Sequence, residues 1–176
     1  MLLRSLKGCR LIIGSYPPFD YDATGGGGKA RVYHSKKNNT LKIIFSSKSF
    51  SIPPLNSRNT KFLAIPLPPG IEIVIKMYKL EGTINTDSGE IILTFESRFR
   101  LKIISLLSFP DLFVNTKLTT RKVRSSIYKS EGSPLQGNGE TTLVGISIIP
   151  KTNNAILNTF LSLPNEALAV LKCKLT

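Results

Sequence analysis

Tryptophan is absent, histidine occurs once, cysteine twice, and 11 acidic residues face 24 basic ones. Each shortage removes a class of chemistry. Cys9, Cys173 and His34 cannot build a four-ligand Cys/His zinc site. The two cysteines read as reduced, partly buried thiols that meet only if the first and last strands pair. Asp20 and Asp22 form the only close aspartate pair, and it lacks the further ligands that calcium or magnesium requires. His34 stands beside an expected turn, with no Ser, Cys or acid placed near it by any motif, and reads as exposed and ordinary. No catalytic constellation and no cofactor is indicated, so a non-enzymatic protein is expected.

Long apolar runs are missing too. Leu101 to Phe109 is the longest candidate, and Lys102 interrupts it well short of the roughly 18 residues a spanning helix needs. MLLRSLKGCRLII spaces basic residues through its apolar ones and lacks the h-region of a secretory signal. The expectation is a cytoplasmic protein with no transmembrane segment.

What is abundant is positive charge, a net +13. Ala23 to Ile71 holds eight basic residues and no acid, and Leu112 to Ser130 holds five and no acid. Such fields favour polyanions: an acidic protein face, an anionic lipid surface or nucleic acid. The residues expected to form a docking surface are Lys29, Arg31, Lys36 and Lys37 from the first segment and Arg121, Lys122 and Arg124 from the second, together with Arg98, Arg100 and Lys102 between them. Tyr16, Phe19 and Tyr21 lie in SYPPFDYDATGGGGK, which reads as an irregular loop, and three aromatics there suggest a contact site. Its four glycines lack the GxxxxGK[ST] or GxGxxG context of a phosphate cradle and read as a turn.

The chain is organised around Ile71 to Ile104, which reads as a long β-hairpin. Ile91, Leu93, Phe95, Phe99, Leu101 and Ile103 alternate with Thr94, Glu96, Arg98, Arg100 and Lys102, the pattern of a half-buried antiparallel strand. On the outgoing arm Ile71, Ile73, Ile75 and Met77 are odd, whereas Leu80, Gly82 and Ile84 are even. One extra residue near Tyr78 and Lys79 keeps both sets facing the core, so a β-bulge is expected there. The register then sets Leu80 opposite Phe95, Ile75 opposite Phe99, Ile71 opposite Ile103 and Glu72 opposite Lys102.

Other strands are expected at Leu11–Ile13, Arg31–His34, Leu41–Phe45, Leu112–Thr120, Thr141–Ile149 and Ala167–Leu175. Ser51 to Gly70, with five prolines, should be a crossover with at most a short strand at Phe62–Ile65. Asn153 or Asn154 can cap one short helix whose stripe of Ile156, Leu157, Phe160 and Leu161 is expected in the core. The fold is therefore mostly β: a single β-rich domain over residues 1–176, either an antiparallel up-and-down barrel or a two-sheet sandwich of about eight strands, with one short helix near the C-terminus.

GSYPPFDYDATGGGG, FLAIPLPPGIEI, TTLVGISIIP and NTFLSLPNEALAVLKC resemble segments of an uncharacterised protein family of cyanobacteria with similar proteins in chloroplasts. The resemblance covers most of the chain and brings no activity with it. It implies a setting in oxygenic phototrophs, on the cytoplasmic or stromal side and peripheral on the thylakoid membrane. There a basic protein meets anionic lipids and photosystem surfaces. Three functions are carried forward: an accessory or assembly protein docking by its basic surface, a lipocalin-like binder of a hydrophobic lipid or pigment, and a nucleic-acid-binding protein. The last is weakest, because only Tyr33 and Tyr128 lie near the basic clusters and no RNA-binding signature is present.

Overall fold

The computed structural model describes residues 1–35, 39–104 and 107–176. In chain order the strands are β1 (Leu2–Ser5), β2 (Cys9–Ile13), β3 (Phe19–Tyr21), β4 (Gly27–His34), β5 (Thr40–Phe45), β6 (Thr60–Phe62), β7 (Ile65–Pro66), β8 (Ile71–Asn85), β9 (Ile91–Ile103), β10 (Leu107–Ser108), β11 (Leu112–Thr119), β12 (Lys122–Arg124), β13 (Lys129–Glu131) and β14 (Glu140–Ile149). Helix α1 (Ala155–Phe160) and β15 (Asn165–Leu175) follow.

Eight strands close into a ring. The order β1-β4-β5-β8-β9-β11-β14-β15 returns to β1, because β1 pairs antiparallel with both β4 and β15. Ring neighbours follow one another in chain order, so the barrel is an up-and-down meander, and of the two sequence-level alternatives the closed one is realised. Closure depends on Gly27: a Cβ there would stand 2.0 Å from the Leu3 carbonyl oxygen, and its φ is +124°. The glycine run is thus a close approach of two backbones at the seam.

The long hairpin has the expected register, with Leu80 opposite Phe95, Ile75 opposite Phe99, Ile71 opposite Ile103 and Glu72 opposite Lys102, and the register shifts between Met77 and Lys79. On the barrel's inside, Ile43, Phe45, Leu80, Ile84, Ile91, Leu93, Phe95, Leu118 and Leu143 form one buried cluster. Each such aliphatic or aromatic side chain taken from water contributes about 1.5–3 kcal/mol. An eight-stranded barrel has an interior just wide enough for side chains to fill.

The lower part of the barrel, toward Ile71 and Ile103, is built differently. β5 pairs with β8 only from Glu81 to Asn85. Below that, β8 meets a single bridge between Leu55 and Ile73. The wall is completed instead by β3, β6 and β7, which extend from β2. They enclose a smaller cluster of Cys9, Tyr21, Ala23, Leu55 and Leu67, against which Phe19, Phe62, Ile73 and Ile75 pack.

Three expectations are corrected. SYPPFDY is not a loop throughout: Phe19–Tyr21 is β3, paired on both edges. The strand expected at Phe62–Ile65 is a hairpin turn, with Leu63 at φ +54° and Ala64 at +64°. Helix α1, in the connection from β14 to β15, is capped by the Asn154 side chain accepting from the Leu157 amide, but of its apolar stripe only Leu157 is buried, while Ile156 and Phe160 face outward. Cys9 and Cys173 are both buried and unbridged although the first and last strands do pair. Desolvation pushes both thiols up, Cys173 to about 12.

Candidate docking surface

The outer face of β8, β9, β11 and β14 carries the most distinctive side chains. Alternation on β9 turns Arg98, Arg100 and Lys102 outward, as expected from parity. The bulge adds what alternation alone would not. Tyr78 is the extra residue between Met77 and Lys79, and it emerges half-exposed on the outer surface. On the other side of β9, Phe113 of β11 lies directly opposite Arg98 and is 52% exposed. The Arg98 guanidinium carbon sits 4.9 Å from the Tyr78 ring centre and 4.6 Å from that of Phe113, so one cation is flanked by two rings. Lys76, opposite Arg98 on β8, brings its ammonium 5.5 Å from the Tyr78 ring. Each such contact at an exposed site contributes about 0.5–1 kcal/mol through attraction of the cation to the electron-rich ring face.

Asp111 anchors the lower edge of this surface. Its carboxylate accepts two hydrogen bonds from Arg100, at 2.6 and 3.1 Å, and lies 3.7 Å from an Arg98 nitrogen. The hydrogen bond from Arg100 holds the Asp111 carboxyl below the usual range, and the pair raises Arg100 in turn. A shallow groove runs past the stack, lined by Tyr78, Arg98, Phe113, Asn115, Ile148 and Pro150. It continues toward Asp111, Lys151 and Asn153. Under its floor Ser97, the break in the apolar row of β9, is buried, and its hydroxyl has no partner among the described residues.

The structure divides the ten expected docking residues. Arg98, Arg100 and Lys102 share one strand face, and Lys102 lies 3.9 Å from Glu72. Lys29 and Arg31 are exposed on β4 of the same wall, but Glu81 and Glu96, both in reach of Lys79, lie between the two groups. Arg121 is paired with Glu90 at 2.6 Å and Lys122 with Glu131 at 3.6 Å, while Arg124 is exposed on β12. Lys36 and Lys37 lie outside the described residues. Among the described residues the basic segments therefore do not merge into one continuous patch.

The aromatic trio is also dispersed. Tyr21 is 3% exposed and its hydroxyl donates to the Pro53 carbonyl, and Phe19 stacks on Phe62 with ring centres 4.9 Å apart. Both are structural, so the expected loop contact reduces to Tyr16, whose ring lies 5.6 Å from that of Phe160 and whose hydroxyl donates to the Phe160 carbonyl. Sequence reading missed Tyr78, Phe113 and Lys76. The register was the available signal: Lys76 falls opposite Arg98 once the bulge is placed, and Phe113 has the parity opposite to Leu112 and Val114.

Among the described residues no group of three or more His, Cys, Asp and Glu side chains is placed to hold a metal ion, and no helix is long and apolar enough to cross a membrane. Compared with protein-family models, with curated proteins and with solved structures, the chain matches none.

Proposed function

We propose that the protein is a non-enzymatic accessory or assembly factor that docks through the wall around Arg98 onto an acidic protein surface. In the setting implied by the family resemblance, that surface belongs to a photosynthetic complex, and the protein is peripheral on the thylakoid membrane. The observation that carries this reading is the Tyr78–Arg98–Phe113 stack. Tyrosine and arginine are the residue types on which binding energy concentrates at protein interfaces. Here they are held in place before any partner arrives, which lowers the ordering cost of association. Lys76 extends the positive field around Arg98, whereas Arg100 is compensated by Asp111, and the excess of cations favours an acidic partner.

A hydrophobic ligand inside the barrel is a weaker reading, because Phe45, Leu93, Phe95, Leu118 and Leu143 pack on one another where it would sit. Single-stranded nucleic acid is favoured by one feature, aromatic rings interleaved with cations on a single wall. Filter binding titrated with salt tests it directly, since phosphate contacts weaken steeply as salt rises.

The main proposal is tested by affinity purification from detergent-solubilised photosynthetic membranes with lipid removed. The wild type is expected to retain a specific acidic complex. The double variant Arg98→Ala/Phe113→Ala should lose about tenfold or more in affinity while keeping its melting temperature within a few degrees. Recovery of no complex by the wild type, or equal recovery by the variant, rejects the reading.

A further inference from the structure

More than half of the exposed large apolar side chains stand at one end of the barrel, while Tyr78, Phe113 and Ile148 lie on the wall described above. β9, β14, β2 and β6 all run in the same sense, since each is separated from the next by one antiparallel neighbour. The turn after β6, Ile104 just past the end of β9, and helix α1, which lies between β14 and β15, therefore stand at the same end. At these three places stand Leu63 and Ile65 (63% and 67% exposed), Ile104 (67%), and Ile156 and Phe160 (73% and 59%). Leu107 is 63% exposed beside them. Tyr33 is the exposed aromatic at the opposite end.

The backbone at these tips is unusual in a way that keeps the side chains outward. Leu63, Ala64 and Ile104 have φ of +54°, +64° and +50°. That region is disfavoured for any residue with a Cβ and most of all for a β-branched one such as Ile104. Glycine is the ordinary occupant of such turns. Leucine and isoleucine there cost stability without being buried, so their value lies outside the fold.

Charge identifies what they meet. Lys61, Lys151 and Arg124 are exposed on the elements that reach this end. Of the acids there, Glu72 lies 3.9 Å from Lys102, Asp111 is held by Arg100, and Asp20, opposite Lys61, lies 2.9 Å from Arg10, while Glu166 keeps its charge and accepts from the Ser125 and Ser126 hydroxyls. The chain as a whole carries +13, which disfavours a second copy as the occupant. Apolar tips ringed by cations match an anionic bilayer, whose headgroups attract lysine and arginine while its acyl layer takes up aliphatic side chains.

We infer that this end of the barrel is a membrane-docking face that inserts Leu63, Ile65 and Ile104 into the outer layer of an anionic bilayer, with α1 lying beside them. This is independent of the wall around Arg98, so the protein has two faces for two kinds of contact.

The test is flotation of the full chain with phosphatidylcholine vesicles, with and without phosphatidylglycerol. The wild type is expected to float with the anionic vesicles, less so at high salt. The variant Leu63→Gly/Ile104→Gly should lose about tenfold in partitioning per residue replaced, and its melting temperature should be unchanged or higher, because glycine relieves both left-handed positions. Tyr33→Ser and Arg98→Ala/Phe113→Ala should float like the wild type, which separates this proposal from protein docking at the wall. Absence of wild-type binding to anionic vesicles at low salt overturns the inference, as does equal flotation of the glycine variant. Sedimentation showing a dimer that the glycine variant abolishes would instead assign the face to self-association.

Discussion

The two halves of the barrel reach closure by different means. Toward the Ile84–Ile91 end the wall is a continuous antiparallel ladder, and thirteen buried residues form its core. Toward the Ile71–Ile103 end the ladder splits: β8 keeps one bridge to Leu55, and a three-strand extension wraps around a core of five buried residues. Ladder closure leaves no free edge on the ring and ties every strand to two neighbours. Closure by packed turns ties the same space through side chains and leaves the tips exposed. The first half suits a scaffold, and the second puts apolar, strained turns where a surface contact can use them.

The sharpest way to break this comparison is to cut into both cores. Leu93→Ala and Leu55→Ala each remove a leucine that is 1% exposed, and each is expected to cost about 2–5 kcal/mol. Leu93→Ala should lower the midpoint of the whole denaturant transition. Leu55→Ala should act more locally, speeding amide exchange in β3, β6 and β7 before the ring. Uniform loss of protection in both variants would show that the halves unfold as one unit.

A second, smaller effect is expected at the seam. Gly27→Ala forces a Cβ against the Leu3 carbonyl oxygen at a left-handed φ, and should cost about 1–3 kcal/mol. Loss of exchange protection in β1 and β4, with β8 and β9 still protected, would locate the damage in closure itself.

The smallest effect lies in pH. Asp111 has its folded-state pKa depressed by Arg100, so its contribution is present above the ordinary carboxylate range near ~3.9 and fades as pH falls through the lower folded value. Asp111→Asn should be less stable than the wild type at neutral pH, and the two melting temperatures should converge on acidification. A constant gap across the acid range would show that Asp111 acts by packing and not by its charge.

The hairpin that runs through both halves was legible in the sequence, because its arms alternate apolar and polar residues and the one parity change has only a bulge as its solution. The rest of the split half was not. Pro17 and Pro18 with three aromatics read as a loop, yet Phe19 and Tyr21 share one face of a short strand and pack into the smaller cluster. Leu63 and Ala64 form a turn that lacks its usual glycine or asparagine, so its residue types match those of a strand. The stripe on α1 has the spacing of a buried face, but spacing does not tell whether anything lies over it. Of the candidate site, Arg98, Arg100 and Lys102 follow from parity alone. The rings that flank Arg98 required knowing which strands are neighbours, and they are contributed from both sides of β9.

The bulge at Tyr78 carries one more implication. As the extra residue, Tyr78 acts as a phase shifter between Ile71–Met77 and Leu80–Ile84. Replacing it changes only the outer surface, whereas deleting it turns one of those two runs inside out. The side chain over Arg98 can thus be exchanged without disturbing the core, but its position in the chain is locked by the core beneath.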